Sequence, residues 1–295
     1  MKKRSGISVV IEMLFLPLAA SLGALGAQLI LDVPIDLIIV LTFGGIVLGI
    51  YGINGFTDLE DMVNRPEKRL FFSKRPIIFY SLIGILISCV VLLLLTHRFS
   101  PAHFIIIVLG FAYSYNIVPI LDKNHNIVFK RLKEILFVKS LSVALIWGNA
   151  FFTINLALHP DLFLQRADIY LFIISFTIVT FVNTTFLDIR DVIGDTATGV
   201  STIPVRFGVP KTILFAIALP SSIWLAIIIG VSMLGIVDRS TVIFLLINAL
   251  FPVFYIGGYY SKIIPKRIIG VAADSCAFIF SIGLIVLSIA RHAAI

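Results

Sequence analysis

Nine long apolar runs, separated by segments that gather the charged residues, confine this chain to one kind of solvent. They cover 9–31, 34–53, 77–97, 102–121, 136–157, 169–187, 212–236, 240–260 and 268–291. Each approaches the roughly 20 residues that a helix needs to cross the hydrocarbon core of a bilayer. Only 13% of the 295 residues are charged, against about a quarter in a soluble domain, and the mean hydropathy is +1.09. So few charges cannot cover a water-exposed surface. The pattern predicts an all-α integral membrane protein of about nine transmembrane helices, with 1–295 forming one membrane domain. The apolar stretch after Met1–Arg4 runs past Ile30, too long for a signal-peptide core, and reads as the first membrane helix. Cys89 and Cys276 lie inside apolar runs and read as packing residues.

Charge placement orients the bundle. With the N-terminus in the cytoplasm, one set of loops collects Lys2, Lys3, Arg4, Arg65, Lys68, Arg69, Lys74, Arg75, Lys123, Lys130, Arg131, Lys133, Arg190, Arg206, Lys211, Lys262, Lys266 and Arg267. The other side keeps Arg98, Arg166, Arg239 and Arg291. Cytoplasmic loops of membrane proteins carry this excess of Lys and Arg, so the net charge of +7 follows from orientation without a nucleic-acid partner. The expected location is the cytoplasmic membrane, multi-pass, with the N-terminus inside.

The same side gathers the acids. Asn54, Asp58 and Asp61 follow the second run at i, i+4 and i+7, a spacing that puts them on one stripe if the helix continues. Glu60 then points elsewhere, and Pro66 predicts a helix end near Asn64. After the sixth run, Asp188, Asp191 and Asp195 stand at i, i+3 and i+7, with Arg190 on the other side and Gly194 and Gly199 fraying the helix into a loop. Packed aspartates repel one another unless a cation joins them. Magnesium prefers oxygen ligands, shared between a few carboxylates and substrate phosphates, so two facing stripes suit a diphosphate held through Mg2+. Asp32, Asp36, Asp161, Asp168 and Asp238, on the other side, read as solvated loop residues and caps. Glu12 and Asp274 fall inside runs, where a carboxylate is costly and is either a functional group or a protonated hydrogen-bonding group between helices.

These motifs resemble the UbiA superfamily of intramembrane prenyltransferases, whose N-x-x-x-D-x-x-x-D motif follows the second helix and whose D-x-x-D-x-x-x-D motif follows the sixth. The second motif matches in full at Asp188, Asp191 and Asp195, continuing through Gly199, Thr202, Pro204, Arg206 and Gly208. The first matches at Asn54 and Asp58, with its last carboxylate one residue early, at Asp61, because Met62 occupies the usual position. Asn64-Arg65-Pro66 and Ser73-Lys74-Arg75 resemble the downstream pattern, and Tyr113 to Tyr115, Arg131, Lys133 and Lys139 resemble the Tyr-Ser and basic segments.

The resemblance implies a helical bundle around a central cavity and a Mg2+-dependent transfer of an isoprenoid chain from an allylic prenyl diphosphate to a lipophilic or aromatic acceptor. It implies metal binding at Asn54, Asp58, Asp61, Asp188, Asp191 and Asp195. Diphosphate contacts fall to Arg131, Lys133 and Lys139, with Arg65 and Arg206 as weaker candidates, and carbocation or acceptor contacts to Tyr113 or Tyr115. Asp58, Asp61, Asp191, Asp195 and Lys139 are the expected catalytic groups. Family members acting on an aromatic acid often place a basic residue in the first helix; the first run here carries Glu12 and no basic residue after Arg4, so the resemblance favours a lipid or neutral acceptor over an aromatic acid. The rival expectation is a cation-coupled transporter with Glu12 and Asp274 as midplane ion sites.

Overall fold

The computed structural model describes residues 6–58, 60–121, 125–162, 166–265 and 268–293. Among the charges used for orientation, Lys2, Lys3, Arg4, Lys123, Lys266 and Arg267 lie outside the described residues. The long helices are α1 (Gly6–Leu31), α2 (Leu37–Thr57), α5 (Pro76–Leu95), α6 (Pro101–Ser114), α7 (Val138–Leu156), α8 (Ala167–Ala197), α11 (Leu219–Met233), α12 (Arg239–Tyr260) and α13 (Ile269–Ala293). Short helices α3 (Asp61–Asn64) and α4 (Pro66–Ser73) follow α2, and α9 (Ile203–Phe207) and α10 (Val209–Thr212) follow α8. A π-turn over Ile213–Ala218 joins α10 to α11.

Among the described residues, seven spans rather than nine are long and apolar enough to cross a membrane. The two others stand where expected and depart for physical reasons. α7 carries Lys139, Asn149 and Asn155 within its 19 residues, which dilute its hydropathy. α6 has 14 residues, about 21 Å of helix at 1.5 Å per residue, and stops short of a hydrocarbon core about 30 Å thick. The run expected as helix over 102–121 instead passes into a hairpin, with β1 (Val118–Leu121) antiparallel to β2 (Ile127–Lys130). Pro119 cannot continue a helix, and its neighbours Val118 and Ile120 are β-branched. α8 departs the other way. Its 31 residues span about 46 Å, so its last three turns project beyond the apolar layer.

The bundle closes where its ends meet, α1 packing along both α2 and α13. Small residues allow this approach: Ala20, Ala24 and Ala27 are buried on α1, and Ser281 Oγ donates to the Ala19 carbonyl at 2.8 Å. Close packing of small residues replaces the hydrophobic drive that lipid cannot supply. α7 and α8 also pair closely, since a Cβ at Gly148 would fall 1.9 Å from Thr177 Oγ1. Inside, Phe176 stacks on Phe280 at 4.1 Å and on Phe151 at 5.3 Å, with Trp147 edge-on to Phe151. Outside, Leu41, Ile77, Leu95 and Phe254 are exposed, as helices facing lipid require.

Candidate active site

The first acidic segment is not one helix. α2 ends at Thr57, Asp58 adopts an extended conformation as its C-cap, and the chain becomes helical again at Asp61. Lys133 accounts for the break. Its ammonium bonds Asp58 Oδ1 and reaches Glu60 Oε1 at 2.6 Å. In a continuous helix those two residues would point about 200° apart, and one lysine could not touch both. The expected stripe from Asn54 to Asp61 is therefore replaced by a turn. Glu60, expected to point away, is buried against Lys133, with Arg131 at 3.5 Å. Burial raises the Asp58 carboxyl above the usual carboxylate range although Lys133 opposes it. The same burial acts on Glu60, but Lys133 and Arg131 outweigh it and hold that carboxyl below the usual range.

Pro66 begins α4, so α3 ends at Asn64 as expected, and the turn that results aims Asp61 inward. Asp61 is 1% exposed and lies 2.8 Å from Arg65 Nε and 3.5 Å from Lys68 Nζ. Burial, reinforced by Arg65, lowers Lys68 below the usual lysine range despite Asp61.

The second segment keeps its helical spacing. α8 runs unbroken through Gly194 to Ala197, and Gly199, whose φ is +74°, follows its C-cap Thr198. Lys139, in the first turn of α7, lies 2.9 Å from Asp188 Oδ1 and 3.0 Å from Asp195 Oδ2. Ser140 Oγ donates to Asp188 Oδ2 at 2.6 Å. Arg190, expected on the opposite side, instead lines the cavity and grips Asp191 through two bonds of 2.7 and 2.6 Å.

Asn64 joins the two segments. Its Nδ2 donates to the Asp191 carbonyl at 3.3 Å, and its Oδ1 accepts from the Gly194 amide at 3.1 Å. A Cβ at Gly194 would lie 2.3 Å from Asn64 Nδ2, so glycine here permits the contact rather than fraying the helix.

Both segments face one cavity of about 290 Å³. Its polar end holds Asp58, Glu60, Asp61, Asp188, Asp191 and Asp195 with Arg65, Lys68, Lys133, Lys139 and Arg190. Its apolar part reaches Phe43, Val47, Ile106, Trp147, Ala150 and Phe176. Between them stand Tyr51, Asn54 and Tyr113, where Tyr51 accepts a 2.6 Å bond from Trp147 Nε1 and the Lys133 ammonium lies 5.7 Å from the Tyr113 ring centre. Ser114 Oγ donates to Asn54 Oδ1 at 3.3 Å.

Tyr115, Arg131 and Arg206 are not among the residues lining this cavity. Tyr115 caps α6 and stacks on Phe111 at 6.0 Å. Arg131 pairs with Glu134 at 2.5 Å. Arg206 lies in the last turn of α9. Glu60, Asn64 and Lys68 enter the wall without a role expected from sequence, and the two intramembrane carboxylates, Glu12 and Asp274, line it as well. Asn64 had a local signal, its place in the downstream pattern, while Glu60 was set aside on helical geometry that the turn removes.

Among the described residues, no three His, Cys, Asp or Glu side chains cluster closely enough to hold a metal on their own. The donor set nevertheless fits a hard cation shared with a ligand. Asp61 Oδ2, Asp195 Oδ1 and Glu60 Oε2 are buried without a hydrogen-bond partner, and all three residues line the cavity. A buried carboxylate oxygen without a partner is costly, and magnesium commonly takes only one or two carboxylates beside substrate phosphates and water.

A family model described as VviA prenyltransferase matches residues 9–290. No curated protein matches the chain in sequence. The fold is similar to the apo structure of a UbiA homologue from Aeropyrum pernix K1 (TM-score 0.61, 15% identity, 94% of this chain and 98% of that one). It is similar also to a structure of digeranylgeranylglyceryl phosphate synthase (TM-score 0.60, 16% identity, 96% and 99%). A UbiA homologue from Archaeoglobus fulgidus bound to DMAPP and Mg2+ gives a TM-score of 0.53 at 17% identity, over 93% of this chain and 96% of that one. A match running almost end to end, on a membrane bundle whose two acidic segments meet in one cavity, makes this chain an intramembrane prenyltransferase that belongs to the VviA prenyltransferase family, with the fold of the UbiA homologues.

Proposed function

We propose that the protein, acting as one domain over 1–295, moves an isoprenoid chain from an allylic prenyl diphosphate to a lipophilic or aromatic acceptor, with Mg2+ and with its acidic end facing the cytoplasm. The observation that carries this reading is the meeting of the two acidic segments through Asn64, with buried oxygens of Asp61 and Asp195 that accept no hydrogen bond at the polar end of an apolar cavity. The Aeropyrum and Archaeoglobus homologues share this fold, and the second was obtained with DMAPP and Mg2+.

Asn54, Asp58, Asp61, Asp188, Asp191 and Asp195 are the residues to hold magnesium and, through it, the diphosphate. Bound there, magnesium supplies Lewis-acid neutralisation of charge on the leaving diphosphate. The chain contributes the rest. Lys133 and Lys139 are cations already removed from water where that charge develops, and a preorganised charge in a low-dielectric site stabilises it without reorganisation. Arg65 and Arg131 brace the same end through Asp61 and Glu60. Tyr113 presents a ring to the cationic allylic carbon, and the apolar wall from Phe43 to Phe176 takes the tail and excludes water. A transporter would place its acids near the midplane, whereas six of the eight cavity carboxylates stand at one end.

The test is donor binding to purified protein in detergent. Asp58→Ala and Asp191→Ala should each weaken binding of geranylgeranyl diphosphate at least 10-fold and abolish its dependence on Mg2+. Wild-type affinity and magnesium dependence in both variants would remove the proposed metal site.

A further inference from the structure

Glu12 and Asp274 are the cavity carboxylates that the diphosphate end does not use. Asp274 lies on α13, four residues after Gly270 and therefore on the same helix face, about 6 Å further along the axis. Gly270 marks what that face meets: a Cβ there would be 3.1 Å from Arg190 Nη1, the guanidinium that grips Asp191. Asp274 thus sits one turn into the bundle from the Arg190–Asp191 pair. Asn183 Nδ2 fixes this stretch by donating to the Ala273 carbonyl at 3.0 Å. Arg190, Arg65 and Lys68 are within electrostatic reach of Asp274, yet each is committed to another acid, Arg190 to Asp191 and the other two to Asp61. Among the described residues, no hydrogen bond or ion pair engages the Asp274 carboxylate, and Asp274 lines the cavity.

An unpaired carboxylate inside a membrane bundle is expensive unless something uses it. Its depth is informative. A prenyl diphosphate held at Asp58, Asp61, Asp191 and Asp195 directs its allylic carbon inward from those residues, toward the level at which Asp274 stands. A carboxylate is acceptor-only when ionised and takes a hydrogen bond from O–H or N–H. It repels another anion, the more so with Glu12 also within electrostatic reach.

We propose that Asp274 forms the acceptor subsite and recognises a neutral, lipophilic acceptor by the nucleophilic hydroxyl that is to be prenylated; this rests on the prenyltransferase reading above. In the transfer, the bond from the allylic carbon to the diphosphate oxygen breaks, and its electron pair leaves with the diphosphate. An oxygen lone pair of the acceptor forms the new C–O bond, and the hydroxyl proton passes to Asp274. The product is an ether, and the proton returns to water when it departs.

The experiment uses the full chain in detergent with Mg2+ and labelled geranylgeranyl diphosphate. The acceptors are a monoalkylglycerol, a long-chain alcohol, an alkylphenol and, as the contrasting anion, an alkylbenzoate. Donor binding is measured separately with geranylgeranyl thiolodiphosphate. The wild type should alkylate a hydroxyl acceptor and spare the benzoate. Asp274→Asn and Asp274→Ala should each lower kcat for that acceptor about 100-fold, the usual size of a general-base contribution, with donor affinity within twofold. Asp274→Glu should recover most of the loss. The assignment is overturned by a kcat within threefold of wild type in a folded Asn or Ala variant, or by donor affinity falling in step with kcat. It is overturned equally by preference for the benzoate, or by a wild type that binds donor but alkylates none of the three hydroxyl acceptors. A wild type that fails to bind the thiolodiphosphate with Mg2+ would instead remove the reading beneath it.

Discussion

Arg98, Arg166 and Arg291 at one end of the bundle, and Lys133 and Lys139 at the other, all stand beside aspartates, yet the two sets behave differently. At the first end each acid has an ordinary structural task. Asp36 caps α2 by accepting from the Ile38 and Ile39 amides and pairs with Arg98. Asp168 is gripped by Arg166 and Arg291 at 3.0 and 2.8 Å. Asp238 caps α12, and its side chain is 44% exposed. At the other end the acids outnumber the tasks: Lys133 serves two carboxylates, Lys139 serves two, and the Asp195 side chain is 1% exposed with one oxygen unpartnered. Residue type does not separate a site from a scaffold here. Burial combined with incomplete pairing does, because desolvation is recovered only when every oxygen finds a partner.

The sharpest break in this contrast comes from neutralising acids at each end. Asp61→Ala and Asp195→Ala should lower prenyl transfer by at least about 1,000-fold, the scale of losing preorganised charge stabilisation, with little loss of thermal stability. Asp36→Ala should leave turnover near wild type. Loss of turnover in Asp36→Ala equal to that in Asp195→Ala would erase the distinction. Next, Lys133→Met strands two buried carboxylates and should cost about 3–5 kcal/mol, as removal of one member of a buried ion pair does. Adding Asp58→Asn and Glu60→Gln should recover most of that stability and none of the activity, read by thermal unfolding and turnover on the same preparations.

A smaller effect is expected where the segments touch. Gly194→Ala drives a Cβ into Asn64 and should destabilise by about 1–3 kcal/mol, the range for overpacking. Pairing it with Asn64→Gly should relieve the strain while leaving magnesium affinity below wild type. The smallest lies at the opposite end. Asp238→Asn should shift stability by about 1 kcal/mol or less, as for other cap substitutions, without changing turnover. Against the cost of burial, bonds from Ser240, Thr241 and Arg291 hold the Asp238 carboxyl below the usual range. A carboxyl depressed in the folded state contributes stability above its unfolded value near 3.9 and loses it as pH falls toward its folded value. The wild-type advantage in Tm should therefore be full at neutral pH and shrink below about pH 4.

How far the sequence could be read depends on the range of the interactions concerned. The membrane class, the positions of the long helices and the Asp188–Asp191–Asp195 face rest on hydropathy and on a helical period that α8 keeps unbroken. Those signals are local, and a resemblance carried by the motifs reinforced them. The Asn54–Asp58–Asp61 stripe failed because extrapolating a period assumes that nothing distant intervenes. Lys133, far along the chain, ends that helix by binding residues on what would be two of its faces.

The sequence by itself therefore determined the solvent of this protein, its helices and the identity of the acids collected at one end, since each follows from near-neighbour pattern and composition. Only the tertiary structure decided which carboxylates share a lysine, that Asn64 clamps the two segments together, that Arg190 turns inward, and that Asp274, unpaired among the described residues, lines the cavity. Those outcomes depend on desolvation and on partners brought from distant parts of the chain, and a one-dimensional pattern carries neither.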